Sequence, residues 1–235
     1  IKTPMFNKYF DDYKKIILEF NLISKIIKLG TPSALQMLFE VGFFTAAIWL
    51  SGFIGKVSQA ANQIALNLST ISYMVAMGLS VTAMIRVGNQ FGKLNIKELK
   101  RIAYSIFILI FLFDIIFCLI LLIFNDSLPW IYLDSGNEIS INDTLQVIKL
   151  ASTLLIISAI FQVSDGVQVV VLGSLKGIQD VNIPTAITFF SYWIIGFPIS
   201  YYLGLKTSLG SIGIWIGLLA GLTVSAILLL ARFNY

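Results

Sequence analysis

Six apolar segments, each long enough to cross a lipid bilayer, constrain this chain more than any other feature of its sequence. They cover roughly residues 31–54, 61–85, 102–124, 146–173, 183–203 and 211–231. A membrane-spanning helix needs about 20 mainly apolar residues, and none of these segments shows the period of two that a transmembrane barrel requires. We therefore expect an all-α polytopic membrane protein, a six-transmembrane-helix bundle.

The composition agrees with this class and excludes several others. The chain is 57% hydrophobic and only 12% charged, with a mean hydropathy of +0.89. It has no histidine and a single cysteine, Cys118, so His-based catalysis, His- or Cys-rich metal sites and an intrachain disulfide are not expected. No nucleophile–base pair or phosphate loop is recognisable, and the basic residues form no continuous patch. We expect neither an enzyme, nor a cofactor, nor nucleic-acid binding.

The basic residues indicate how the chain crosses the membrane. Of its 16 lysines and arginines, 13 fall on the side of the two chain ends, and only Lys56, Lys149 and Lys206 fall on the other. Because cytoplasmic loops carry an excess of Lys and Arg, this bias favours six spans with both termini in the cytoplasm.

The segment before the first span has its own pattern. Ile16, Phe20, Ile23 and Ile27 share one helical face, with lysines around it, which predicts an amphipathic helix at the cytoplasmic membrane surface. We therefore divide the chain into a connector, residues 1–28, and a six-helix domain, residues 29–235, whose first helix is opened by Pro32. Since the chain begins with Ile1 and not Met, we expect it to be part of a longer protein.

Three carboxylates, Glu40, Asp114 and Asp165, lie inside the apolar segments. Each is eleven residues from the cytoplasmic end of its segment. At the helical rise, this is about 16 Å, near the middle of a hydrocarbon core roughly 30 Å thick. A charge at that depth costs about 2.5–3.5 kcal/mol on insertion scales. Three acids at one depth therefore indicate a function that offsets this cost.

Two of these acids have polar neighbours at helical spacing. Gln36 precedes Glu40 by one turn. Asp165 belongs to a polar stripe on the fourth segment, and a further polar stripe lies on the second segment. Such stripes should face a cavity or another helix, where they either bind a ligand or only hydrogen-bond between helices. For Asn67, Thr70 and Gln168 we favour the second role. The stripes consist of Ser158, Gln162, Asp165 and Gln168, and of Gln63, Asn67 and Thr70.

For Glu40 and Asp165 we favour a functional role, because interhelical hydrogen bonding does not require an ionisable group. No basic residue inside the predicted spans can pair with them. A carboxyl group in that position holds a proton or exchanges it for a cation such as Na⁺, as in an ion-coupled carrier. Asp114 has no polar stripe, and we expect it to lie protonated against a neighbouring helix or to be particular to this protein.

Glycine and proline also interrupt the fifth segment. Gly196 and Pro198 lie within "SYWIIGFPISYYLG" (191–204), where a proline frees carbonyls and permits a bend. A static kink and a moving joint are equally compatible with this pattern.

Four stretches resemble the MATE (multidrug and toxic compound extrusion) transporters of the bacterial NorM type. They are "LGTPSALQMLFEVGFFTAA" (29–47), "AANQIALNLSTISYMVAMGLSVTAMIRVG" (60–88), "FQVSDGVQVVVLGSLKGIQD" (161–180) and the 191–204 stretch, followed by "GIWIG" (213–217). The resemblance implies one lobe, the C-terminal one, of a twelve-helix antiporter in the bacterial inner membrane. Such a protein exports small cationic organic compounds in exchange for Na⁺ or H⁺ by alternating access. Its partners would be these substrates, membrane lipid and a preceding six-helix lobe.

The resemblance also assigns the site. It implies that Glu40 and Asp165 bind the coupling cation, Na⁺ included. Candidate cavity-lining residues are Gln36, Asn67, Phe161, Gln162 and Gln168. Phe161 stands where some relatives have a coordinating Tyr, which weakens the expectation of Na⁺ coupling.

Three further positions depart from or lie outside the family pattern. Asn62 stands where many relatives have His, and Lys176 replaces the usual Arg. Asp114 has no counterpart in the pattern.

Two alternatives remain at this point. One is a lipid-linked oligosaccharide flippase of the same superfamily, although such a carrier would favour basic residues at membrane depth, and none is predicted here. The other is an inert half-transporter that acts only as a membrane partner.

Overall fold

The fold consists almost entirely of long helices. A computed structural model describes residues 19–132 and 141–235, and within these ranges it contains helices and no strand. All six long helices have the length and composition needed to cross a membrane, which confirms the all-α class and the count of six. They are α1 (Phe20–Ile54), α2 (Lys56–Gly92), α3 (Ile96–Ile123), α4 (Ile141–Gly177), α5 (Asn182–Leu205) and α6 (Ser211–Asn234).

The start of α1 differs from the expectation. One continuous helix begins at Phe20, so residues 20–28 are its first turns and Pro32 lies inside it. Because Pro32 has no N–H, it cannot pair with the carbonyl of Lys28 four residues earlier, a loss that membrane helices tolerate where other groups satisfy the backbone. Thr185 of α5 donates a hydrogen bond to the carbonyl of Pro32 itself at 2.9 Å and so joins α5 to α1 at this point. Residues 1–18, including Ile16, lie outside the described residues, and a surface location for this segment stays a prediction.

Helix α4 is the centre of the bundle and packs against α2, α3 and α6. Its closest approach is to α2, where glycines allow the two backbones to meet. A Cβ atom on Gly177 would lie 2.7 Å from the Met84 carbonyl oxygen, and one on Gly173 would overlap the Ser80 carbonyl. Small residues serve this purpose at helix interfaces in membranes. This α2–α4 seam fixes Phe161 and Asp165 of α4 relative to α2, the helix that supplies half of the residues lining the site.

Helix α5 changes its winding where a bend was expected. Residues Phe190–Gly196 form a π-helical stretch, and the Phe197 N–H donates to the Tyr192 carbonyl five residues earlier. The α-helix then resumes at Phe197, with Pro198 in its first turn. Because Pro198 has no N–H to donate, a wider turn just before it accommodates the lost hydrogen bond. Movement at this point stays a prediction.

Candidate functional site

A cavity of about 350 Å³ lies between α1, α2 and α4. Glu40 of α1 and Asp165 of α4 both line it, so the fold brings together the two carboxylates that the sequence singled out. The rest of the wall combines hydroxyl and amide groups with aliphatic and aromatic side chains. The apolar part consists of Val41, Phe44, Ile48, Leu66, Met74 and Phe161.

Glu40 is buried and is held by two donors. The Gln36 amide Nε2 donates to its Oε2 at 3.0 Å, and the Tyr73 hydroxyl of α2 donates to its Oε1 at 3.4 Å. A carboxylate can accept about four hydrogen bonds, so lone pairs remain for a further ligand. Sequence reasoning missed Tyr73, although it is three residues after Thr70 and extends the polar stripe of α2 by one turn.

Asp165 has a different environment. It is 95% buried, being only 5% exposed, and its Oδ1 has no hydrogen-bond partner among the described residues. Glu40 and Asp114 are both close enough to interact with it electrostatically. Asp165 is therefore the less satisfied of the two cavity carboxylates, and it lies between two other acids.

Lys176 is the basic residue of α4 that has an electrostatic interaction with the site. Helix α4 continues to Gly177, so Lys176 lies in its last turn and not beyond it. It is partly buried and interacts electrostatically with Glu40, but it forms no ion pair within the described residues and does not line the cavity.

The stripe on α2 and one aromatic residue of α4 line the cavity as expected. Gln63, Asn67 and Thr70 are exposed along its wall, and Phe161 contributes its ring. Phe161 packs edge-on against Trp215 of α6, with ring centroids 5.3 Å apart.

The residue next to the first member of that stripe, Asn62, has a structural role. Asn62, where many relatives have His, accepts a hydrogen bond at Oδ1 from the Trp215 indole N–H at 2.9 Å. Asn62 thus holds the aromatic ring against which Phe161 packs.

Three other predicted lining residues do not line this cavity. Gln36 is buried beneath it and contacts Glu40. Gln162 and Gln168 are buried within helix–helix contacts, and their side-chain atoms have no partner by strict hydrogen-bond geometry. The expectation was wrong for these three because residues three or four apart on a helix still differ by tens of degrees in direction. Gln168 lies instead beside the Tyr192 hydroxyl.

Asp114 lies behind the cavity and is completely buried at the junction of α2, α3 and α4. The Ser72 hydroxyl of α2 donates to its Oδ1 at 3.1 Å, while its Oδ2 has no partner among the described residues. On α4 it meets Gly166, where a Cβ atom would overlap its carboxylate. Asp114 thus packs against neighbouring helices, while its expected protonation stays a prediction.

The comparison with known proteins decides the family. Residues 32–202 match MatE over most of the chain. The chain belongs to the MatE family. It is 36% identical over 214 residues to the multidrug resistance protein NorM of Aliivibrio fischeri, a match that covers 89% of this chain and 45% of that protein. It is 34% identical over 221 residues to the multidrug resistance protein MdtK of Yersinia pseudotuberculosis, covering 92% and 46%. The predicted NorM-type membership is confirmed.

Solved structures show the same architecture. The chain superposes on the eukaryotic MATE transporter AtDTX14 with a TM-score of 0.82 at 19% identity, covering 93% of this chain and 48% of that one. It superposes on a MOP superfamily transporter from Pyrococcus furiosus with a TM-score of 0.84 at 16% identity, covering 94% and 48%. The chain thus spans about half the length of its relatives, consistent with one lobe of a MATE-type integral membrane protein.

Proposed function

We propose that this chain is the C-terminal lobe of a multidrug efflux antiporter, which exports cationic organic compounds in exchange for Na⁺ or H⁺. Alternating access would come from rocking of this lobe against an N-terminal six-helix lobe. On the charge bias of the loops, both termini face the cytoplasm of a bacterial inner membrane.

One observation carries this proposal: Glu40 and Asp165 line the same mainly apolar cavity. Their positions along the predicted spans place both near mid-membrane depth. The two acids interact electrostatically, and none of the cavity's lining residues in the described structure is basic. Two neighbouring carboxylates without a basic lining residue attract a cation strongly, because the low-dielectric surroundings screen little. The cavity can therefore bind either a coupling ion or a positively charged substrate.

The cavity wall also fits the substrate class. Phe44, Phe161 and Tyr73 present aromatic surface near the carboxylates, with Phe44 and Phe161 at a centroid distance of 6.5 Å. Aromatic faces bind flat rings by stacking and bind organic cations through the ring quadrupole. An amphiphilic aromatic cation would place its charge at Glu40 or Asp165 and its rings against this wall.

Coupling follows from competition for the same carboxylates. A carboxylate that holds Na⁺ or H⁺ no longer presents a free negative charge, so a Na⁺ or H⁺ that binds Glu40 and Asp165 weakens binding of the organic cation and displaces it. Each ligand then favours a different orientation of the lobes, as required for exchange.

The test replaces each acid by its amide in the full-length transporter that contains this lobe. We expect Glu40→Gln and Asp165→Asn each to abolish ethidium efflux driven by a Na⁺ or H⁺ gradient in proteoliposomes, because a neutral amide neither holds a proton nor attracts a cation. The matched controls are Asp126→Asn, at an exposed carboxylate, and Glu98→Gln, at a partly exposed one that pairs with Arg101; neither lines the cavity, and both should leave efflux unchanged. Intact efflux with unchanged ion dependence in both site variants would refute the proposal.

The flippase alternative is less compatible with the cavity. Phosphate groups of a lipid-linked sugar would meet two carboxylates and no lysine or arginine among the lining residues. Binding measurements that compare ethidium with a lipid-linked phosphate would distinguish the two cargoes.

A further inference from the structure

We propose that Asp114 provides a second station for the coupling cation, on the side of Asp165 away from the drug cavity. This inference rests on the proposed function, since it adds a second cation to the same exchange. It assigns a role to the one mid-membrane acid that the cavity does not use.

The first argument is the burial of Asp114 with half of its carboxylate unsatisfied. The residue has no exposed surface, and only Oδ1 is hydrogen-bonded, to Ser72. No lysine or arginine forms an ion pair with it in the described parts of the chain. An uncompensated carboxylate at this depth costs several kcal/mol. Its Oδ2 therefore needs a proton or a small cation.

The second argument is that Asp114 does not stand alone. Asp165 also has a partnerless buried oxygen, and the two acids interact electrostatically. The amide of Gln162 likewise has no partner at Oε1 or Nε2. Gln162 lies one helical turn before Gly166, the residue that Asp114 contacts, so it shares that face of α4. Carboxylate, amide and hydroxyl oxygens are the ligands that a small hard cation prefers.

The third argument is the geometry of α4 at this point. Gly166 directly follows Asp165, and only a residue without a side chain lets the Asp114 carboxylate approach the helix there. One turn of α4 thus presents Asp165 to the cavity and the Gly166 surface to Asp114.

The acids do not form a single metal site. In the described residues, no three acidic, cysteine or histidine side chains converge closely enough to hold one metal ion. Glu40 and Asp165 face the cavity, whereas Asp114 faces the α2–α3–α4 junction. This arrangement favours two separate stations over one shared site. If both are occupied in each cycle, more than one coupling cation is exchanged per substrate.

The test counts cations in the full-length transporter reconstituted in proteoliposomes, with the membrane potential clamped. The ethidium gradient at zero net flux is measured against an imposed Na⁺ gradient at equal pH, and separately against a pH gradient without Na⁺. The logarithmic slope gives the number of cations exchanged per ethidium, and the two arms distinguish Na⁺ from H⁺. We expect a slope of about two for the wild type and about one for Asp114→Asn.

The substitutions are chosen so that misfolding cannot imitate the result. Asparagine has the shape of aspartate and can still accept from Ser72, and Ile110→Val, one turn earlier on the buried face of α3, is the matched control with an unchanged slope. If Asp114→Asn does not reach the membrane, Ser72→Ala replaces it, because loss of the hydroxyl removes one cation ligand and should weaken the second station. The half-saturating concentration of the coupling cation should then rise severalfold.

The outcomes separate this inference from the proposed function. A wild-type slope of one, or equal slopes for the wild type and Asp114→Asn, overturns the second station while leaving antiport intact. If Ser72→Ala is the variant used, an unchanged half-saturating concentration does the same. A wild type that responds to neither gradient overturns both proposals.

Discussion

The two cavity carboxylates are unequally satisfied, and this difference suggests different roles. Glu40 receives hydrogen bonds from Gln36 and Tyr73, whereas Asp165 has an oxygen without any partner. Hydrogen bonds fix the orientation of a carboxylate and reduce its need for another ligand. We therefore expect Glu40 to act as the fixed side of the site and Asp165 as the group that exchanges its ion.

The neighbouring residue Phe161 offers a prediction about ion choice. It lies one turn before Asp165 and lines the cavity, but it has no oxygen. Phe161→Tyr would add a hydroxyl beside the carboxylates, and Na⁺ binds more tightly as oxygen ligands are added. We expect the Na⁺ concentration for half-maximal ethidium efflux to fall about three- to tenfold, which is roughly 0.7–1.4 kcal/mol of binding free energy.

The control for this prediction is the substitution Phe44→Tyr. The Na⁺ dependence is measured at constant pH, and Phe44→Tyr adds a hydroxyl at another lining position, on α1. A fall of equal size in both variants would show that the effect is general polarity and not coordination near Asp165.

At the scale of helices, α4 organises the site because each of its faces has a separate task. One face carries Asp165 into the cavity, a second packs Phe161 against Trp215, and a third presents glycines to α2 and α3. A helix that is buried over most of its surface, with Ile156 and Ile160 among its exposed residues, can satisfy polar residues that lipid could not.

The α2–α4 seam should therefore be sensitive to a single methyl group. Gly173→Ala would place its Cβ into the Ser80 carbonyl, whereas Gly78→Ala on α2 would meet nothing within 4 Å. Overpacking of this kind costs about 1–3 kcal/mol, while an alanine at an open helical position stabilises by up to about 1 kcal/mol. Thermal unfolding in detergent, followed by tryptophan fluorescence, should show a lower midpoint for Gly173→Ala only. Equal midpoints would mean that α2 and α4 can separate freely.

Hydropathy predicted the helices well and their ends poorly. Six apolar segments correspond to the six helices because length and composition are enough to identify a span. The extension of α1 back to Phe20 was not predictable, since Pro32 is a typical first-turn residue and favours a helix that begins beside it. The π-helical stretch before Pro198 was likewise beyond a pattern that assumes 3.6 residues per turn.

At the scale of the molecule, the cavity is not fully enclosed, so this chain supplies only part of a closed binding site. Gln63 and Asn67 line it yet are exposed, and neither has a partner in lipid. We therefore expect the chain produced alone to give no ion-coupled ethidium efflux from proteoliposomes, and the transporter with both lobes to give it. Robust efflux from the lobe alone would instead indicate that two copies assemble into a working transporter.

The site as a whole was only partly predictable, because some of its residues matter only through contacts with other helices. Glu40 and Asp165 were recognisable because an acid in an apolar segment is conspicuous by itself. Tyr73 and Ser72 are ordinary residues in a membrane helix, and their importance comes from groups on other helices. Lys176 was assigned to a loop, because its position after an apolar run does not reveal that α4 continues to Gly177.

The contact between Asp114 and Gly166 has an evolutionary consequence. An aspartate on α3 fits only opposite a residue without a side chain on α4, because any Cβ at position 166 would occupy its place. The two positions should therefore covary: lineages that retain the acid should retain the glycine, and a larger residue at 166 should arise only after the acid has been lost. The order in which these two positions change would then show when a lineage gained or lost the buried carboxylate at position 114.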